Sequence, residues 1–140
     1  AVKKIDLQGT YRVSVDTKRN IQEIVGNICG KEHGRFRDEC ILAKNNNIKL
    51  YVLVENEDGV SCLSDLCDWE NPRAKMKRWS TGSNGRREKT IVSPNATKGE
   101  TLAKAMATMQ EKYGVEFLFC RPEEAGKMIL ELLKLEEHDG

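Results

Sequence analysis

Residues 12–24 read RVSVDTKRNIQEI, and two different periodicities meet inside them. Tyr11, Val13 and Val15 alternate with Arg12, Ser14 and Asp16, the period-two pattern of a half-buried strand. From Asn20 the spacing changes: Ile21, Ile24, Val25 and Ile28 recur at helical intervals, with Asn20 as the N-cap and Gly30 as the stop. Asp16 and Lys18 sit where the strand gives way to the helix. On an extended chain they project from one face, with Thr17 on the other. A strand running directly into an amphipathic helix predicts an α/β domain.

The same reading extends in both directions. A short strand around Lys3 to Leu7 precedes the junction and ends at Gly9. A second helix is expected from about His33 to Asn45, with Phe36, Cys40, Ile41 and Ala43 inward. IKLYVLVE (48–55) is an almost continuous apolar run, the pattern of a strand covered on both faces. Further on, Leu102, Ala105, Met106 and Met109 mark a helix that stops at Gly114. VEFLFC (115–120) is another buried strand, and Pro122 opens a last helix with Ala125, Met128, Ile129, Leu132 and Leu133 on its apolar face. An acidic, frayed tail, LEEHDG, is expected after it. The order predicts one domain over residues 1–140: a central mixed sheet flanked by helices, with a loop insertion at about 72–97.

Composition narrows the class. The chain of 140 residues is 39% hydrophobic and 32% charged, which suits one ordinary core and excludes a disordered chain. No apolar run approaches the roughly 20 residues that span a bilayer. Five irregularly spaced cysteines and an N-terminus without a signal-like apolar stretch point to a reducing compartment: bacterial or phage cytoplasm, or a nucleus in a eukaryote. Cys62 and Cys67, without a second pair nearby, are a weak signal for zinc.

The net charge of +1 conceals two blocks of opposite sign. Residues 55–71 hold six acids and no lysine or arginine, whereas residues 72–90 hold seven bases and one acid, Glu88. Those bases, Arg73, Lys75, Lys77, Arg78, Arg86, Arg87 and Lys89, surround Trp79 and the mobile-loop sequence STGSNG. A flexible basic loop with an aromatic suits a polyanion such as DNA. Lys31, His33, Arg35 and Arg37 gather at the start of the second helix as a further phosphate-binding candidate. Either Trp69 or Trp79 can stack on an unpaired base, while Trp69 also suits a loop anchor.

A carboxylate beside an ammonium suits metal-dependent phosphodiester hydrolysis. The acid holds a hard divalent cation, and the lysine steadies the attacking hydroxide or the developing phosphorane charge. Asp6 offers a second carboxylate if residues 3–7 run beside the Asp16 strand. Glu55, closing a buried strand, is a further candidate, as a metal ligand or as a hydrogen-bonding strand end.

VSVDTKRNIQEIVGNI, GRFRDECILAKNNNIKLYVLVE and TLAKAMATMQEKYGVEFLFC together resemble the nuclease domain of XPF-type structure-specific endonucleases, within the PD-(D/E)xK restriction-enzyme-like superfamily. The resemblance covers most of the chain. It implies a restriction-endonuclease-like fold and a Mg²⁺- or Mn²⁺-dependent endonuclease that cuts branched DNA or junctions of single strand and duplex. The family's core motifs are Gly-Asp, then Glu-Arg-Lys, then an aspartate four residues after the lysine. Asp16 falls at the glutamate, Lys18 at the lysine, Asp6 at the Gly-Asp aspartate, and Arg35 at the basic residue of the family's RF element. Ile5 replaces the family glycine, Thr17 the arginine, and Gln22 the last aspartate, with Glu23 one step beyond. The alternative is a catalytically silent DNA-binding module or scaffold subunit of the same fold. A homodimer or a partner subunit is compatible with either.

Overall fold

The computed structural model describes residues 3–6, 12–82, 85–91 and 96–139, with the side chains of 3–6, 12, 78, 80, 90, 91 and 134–139 outside the description. Four strands form the main sheet in the order β1, β2, β3, β6: β1 is Lys3–Asp6, β2 Arg12–Lys18, β3 Lys49–Glu55 and β6 Glu116–Cys120. β1 lies antiparallel to β2, while β2, β3 and β6 run parallel. The architecture is mixed α/β, its parallel strands flanked by helices.

Paired residues share a face of the sheet, so the ladders sort every side chain. Asp16 stands beside Val52 and Phe117, and Lys18 beside Val54 and Phe119. This face is covered by α1 (Ile21–Cys29), α2 (His33–Asn45) and α4 (Gly99–Tyr113). Ile21, Ile24, Phe36, Cys40, Leu102 and Met106 pack there against Val52, Val54 and Phe117. On the other face Val13, Val15, Leu53 and Cys120 pack against α5 (Ala125–Asp139) through Ala125, Met128, Ile129, Leu132 and Leu133. Burying one such large aliphatic or aromatic side chain contributes about 1.5–3 kcal/mol, and β3 does so on both sides, with Val52, Leu53 and Val54 fully enclosed. The doubly covered strand expected from its apolar run is therefore in the middle of the sheet.

Helix ends follow their sequence signals. Asn20 Oδ1 accepts the Glu23 N–H at 2.9 Å, fixing the start of α1 directly after β2. Gly114 closes α4 in the left-handed conformation, φ 72°, its N–H donating to the Gln110 carbonyl at 3.0 Å. At the other end of α4, a Cβ on Gly99 would lie 2.2 Å from the Leu66 carbonyl oxygen and 2.6 Å from that of Trp69, so only glycine admits this approach.

Two expectations are corrected, and one element is added. The basic segment is not an unstructured loop: after a 3₁₀ turn at Pro72–Ala74 it forms an antiparallel hairpin, β4 (Lys77–Thr81) and β5 (Arg87–Ile91), with only Ser83 and Asn84 of the expected mobile tip outside the described residues. The acidic segment contains a one-turn helix, α3 (Leu63–Leu66), which buries Leu66. The last helix begins at Ala125 after a 3₁₀ turn at Pro122–Glu124 and continues to Asp139 instead of fraying at Leu135. No helix among the described residues is long and apolar enough to cross a membrane.

Candidate functional site

Asp16 and Lys18 occupy the last residues of β2 before the chain enters α1. The Lys18 Nζ lies 3.0 Å from Asp16 Oδ2, and the two side chains retain only 11% and 8% of their exposure. The same ammonium is 5.4 Å from the centroid of the Phe36 ring, a cation–π interaction supplied by the first turn of α2. The ammonium thus has an acid on one side, a ring on the other and little water. Holding two charges in such a place is unfavourable unless each satisfies the other, so the geometry is fixed by the surrounding fold.

Above the pair, a cavity of about 530 Å³ opens between β2, α1 and α2, lined by Asp16, Lys18, Gln22, Asn27, Arg35 and Glu39 among others. Asn27 Oδ1 is buried and has no hydrogen-bond partner among the described residues. Such an atom is unfavourable in isolation and marks a position that a ligand, ion or water satisfies. Glu32 and Glu39 flank the Arg35 guanidinium at 3.7 and 3.8 Å on an exposed rim. Below the site, the Cys40 thiol is pushed up to about 12, first by burial and then by the Glu39 and Asp16 carboxylates.

The remaining candidates separate from one another. The ladder pairs Asp6 with Arg12, four residues and about 13 Å along β2 from Asp16. In backbone register Asp6 therefore stands away from Asp16, and its side chain lies outside the described residues. Glu55 pairs with Cys120 on the α5 face, the side of the sheet opposite Asp16 and Lys18. Gln22 lines the cavity, but its Nε2 donates to Asn71 Oδ1 at 2.5 Å. Glu23 Oε2 accepts the Arg19 N–H at 2.9 Å, completing the cap of α1.

Asp16, Gln22 and Asn27 bring side-chain oxygens to the lining of one cavity, the donor type that a hard cation of the Mg²⁺ kind takes, with waters and substrate phosphates filling the rest of its shell. Among the described residues, no three His, Cys, Asp or Glu side chains converge as a closed metal site. Cys62 and Cys67 are exposed free thiols at the two ends of α3.

The basic residues fall into two groups. Lys31, His33, Arg35 and Arg37 are all exposed around the start of α2; Arg35 alone of the four lines the cavity, and Arg37 faces Asp38 at 3.9 Å. Glu32 occupies the N-cap of α2, so this helix start presents an acid before its free N–H groups. Arg73 follows Asn71, whose Oδ1 also accepts the Arg73 N–H at 3.0 Å. Lys75 is paired with Glu70 at 2.5 Å. Lys77, Arg87 and Lys89 project from the hairpin, Arg86 lies just before β5, and Arg78 is in β4 with its side chain outside the described residues.

Two contributors do not emerge from the sequence reading. Asn27 is one helical turn beyond Glu23, a polar residue interrupting the Ile24, Val25, Ile28 stripe, which is a readable signal. Asn71 is buried at 5% exposure and binds Gln22, Arg73 and Thr97, joining α1 to the root of the hairpin; nothing local to NPRA announces this. No protein-family model, curated protein or solved structure matches the chain, so the likeness to XPF-type nucleases rests on the sequence motifs.

Proposed function

We propose that this chain is a divalent-metal-dependent DNA endonuclease module of restriction-endonuclease-like fold, hydrolysing phosphodiester bonds in branched or junction DNA. The observation that carries the reading is the buried Asp16–Lys18 pair at the floor of a cavity with an unsatisfied oxygen, Asn27 Oδ1. The motif resemblance adds the substrate class.

Asp16, with Asn27 Oδ1 and Gln22 Oε1, would hold Mg²⁺ or Mn²⁺. When bound, the ion supplies Lewis-acid polarisation of the scissile phosphate. Lys18 donates from its ammonium to the attacking oxygen or to a non-bridging phosphate oxygen, stabilising charge that grows in the transition state. Phe36 holds that ammonium in place by covering it. Arg35 at the rim positions a neighbouring phosphate, and the basic hairpin retains the backbone of the substrate.

Cleavage of a flapped or forked DNA in Mg²⁺ or Mn²⁺ is the direct test. Asp16→Asn should abolish cutting while leaving DNA affinity within about twofold, because a metal ligand is removed and the phosphate-binding groups remain. Undiminished cutting by Asp16→Asn overturns the assignment. A second reading, a silent DNA-binding module, is favoured by the distance of Asp6 from Asp16 and by the Gln22 amide at the place of the family's last aspartate. It expects salt-dependent DNA binding by the wild type with no cleavage in either metal.

A further inference from the structure

The hairpin carries an aromatic residue in an unusual position. Trp79 is 55% exposed, although burying so large a ring is among the most favourable things a fold can do. Three of its neighbours on the same hairpin face are cations. Lys89 lies directly across the ladder, its Nζ 5.6 Å from the ring centroid; Arg87, on the diagonal, has its guanidinium carbon at 6.0 Å. Lys77, two residues before Trp79, stands on that face as well. The hairpin's one acid, Glu88, pairs with Ser80 and so belongs to the other face.

The second tryptophan behaves differently. Trp69 packs against the core, and its Nε1 donates to Asp58 Oδ2 at 3.3 Å, so it anchors the acidic segment. Of the two rings, Trp79 is the one free to meet a ligand. β4 and β5 have each other as their only substantial packing partner among the described elements. A two-stranded hairpin of this kind is marginally stable in water, and a ligand bridging both strands stabilises it.

We propose that this face is a stacking platform for single-stranded DNA, in which an unpaired base lies on the Trp79 indole while Lys77, Arg87 and Lys89 hold the flanking phosphates. The proposal rests on the DNA-binding reading above and adds which form of DNA the hairpin selects. In a duplex both faces of every base are already stacked, so a duplex can use the cations but not the ring; a single strand can use both. An acidic peptide matches the charge and offers no π surface of the required kind.

The test measures binding in EDTA, so that it is independent of cleavage. A single-stranded oligodeoxythymidylate should quench tryptophan emission of the Trp69→Phe variant, whose sole indole is Trp79, and a blunt duplex of equal length should quench it much less. The emission difference between wild type and Trp79→Phe gives the same quantity if Trp69→Phe does not fold. Trp79→Ala should weaken single-strand affinity about tenfold, the scale of one base stack, leave duplex affinity within twofold, and be largely repaired in Trp79→Phe. Equal weakening on both DNAs, absence of quenching with duplex binding retained, or a Trp79→Ala effect confined to self-association or to an acidic peptide overturns the platform. A wild type that binds neither DNA fails at the earlier step, the DNA reading itself.

Discussion

Lys18 lies 5.4 Å from the Phe36 ring and Lys89 lies 5.6 Å from the Trp79 ring, so the same pairing of ammonium and ring is found in two very different settings. Around Lys18 the pairing is roofed by α1 and α2 and completed by Asp16; around Lys89 it stands on a hairpin in open solvent. In the first place the fold has already immobilised the charges and removed most of their water, which is what a group acting on a reacting phosphate needs. In the second, solvent screens the charges and leaves the ring accessible, which is what reversible capture of a polymer needs. Burial, more than residue type, separates the two proposed roles.

The comparison is tested most severely by removing each lysine. Lys18→Met leaves the Asp16 carboxylate buried without a partner and should destabilise the domain by about 3–5 kcal/mol in urea unfolding. The double variant Asp16→Asn with Lys18→Met should recover much of that stability. Lys89→Met, made as the counterpart, should leave the urea midpoint nearly unchanged; a comparable drop there would erase the distinction.

Thiols sharpen the same contrast. Cys40 and Cys120 are held up to about 12 and about 11 by burial, whereas an ordinary thiol titrates near 9.0. Above pH 9 the unfolded chain releases these protons while the folded chain keeps them, so the unfolded state binds fewer protons and stability falls as pH rises. Their contribution is fully present below pH 9 and disappears progressively towards 11 to 12, readable as a falling urea midpoint across that range. Under native conditions Cys62 and Cys67 should react with a thiol reagent at once, and Cys40 only on unfolding.

Asn71→Ala should cost about 1–3 kcal/mol, since Gln22, Arg73 and Thr97 are all left without a partner there. If the Asn71 link also places the hairpin, DNA affinity should fall with it. The smallest effect on folding is expected from replacing Arg78, Arg86 and Arg87 together with alanine. That variant should keep its urea midpoint but bind DNA more weakly at low salt. Its slope of log affinity against log salt should drop by about 0.9 for each phosphate that the arginines no longer neutralise. An unchanged slope would move the DNA-holding surface to Lys31, Arg35 and Arg37.

What is legible in the sequence follows from where local pattern determines structure. Alternation marks β2, the helical stripe and Asn20 mark α1, and the run ending at Glu55 marks the doubly buried β3. Asp16 and Lys18 share a face because two residues apart on a strand admit nothing else. The face of Glu55 is not legible for the converse reason: β3 is apolar on both faces, so its pattern contains no sign of which residues stand on the Asp16 side, and only the register with β2 decides. The backbone position of Asp6 is likewise set by register, its partner in the ladder being Arg12. The strands KRWST and REKTI are hidden because their sequences lack the alternation of apolar and polar residues by which strands are recognised.

The bond from Asn71 Nδ2 to the Thr97 carbonyl, 2.9 Å, ties together the two ends of the segment that carries the hairpin. It forms a neck. Outside it, the path from Glu55 at the end of β3 to Gly99 at the start of α4 is already determined by Asn71, Trp69 and the close approach at Gly99. Loop-closure entropy grows slowly, about 0.6 kcal/mol for each doubling of length, so chain beyond the neck can be shortened or exchanged with little effect on the sheet. The hairpin is in that sense a cassette, and grafting one of different charge or aromatic content onto the same neck would change what the domain holds without changing how it folds.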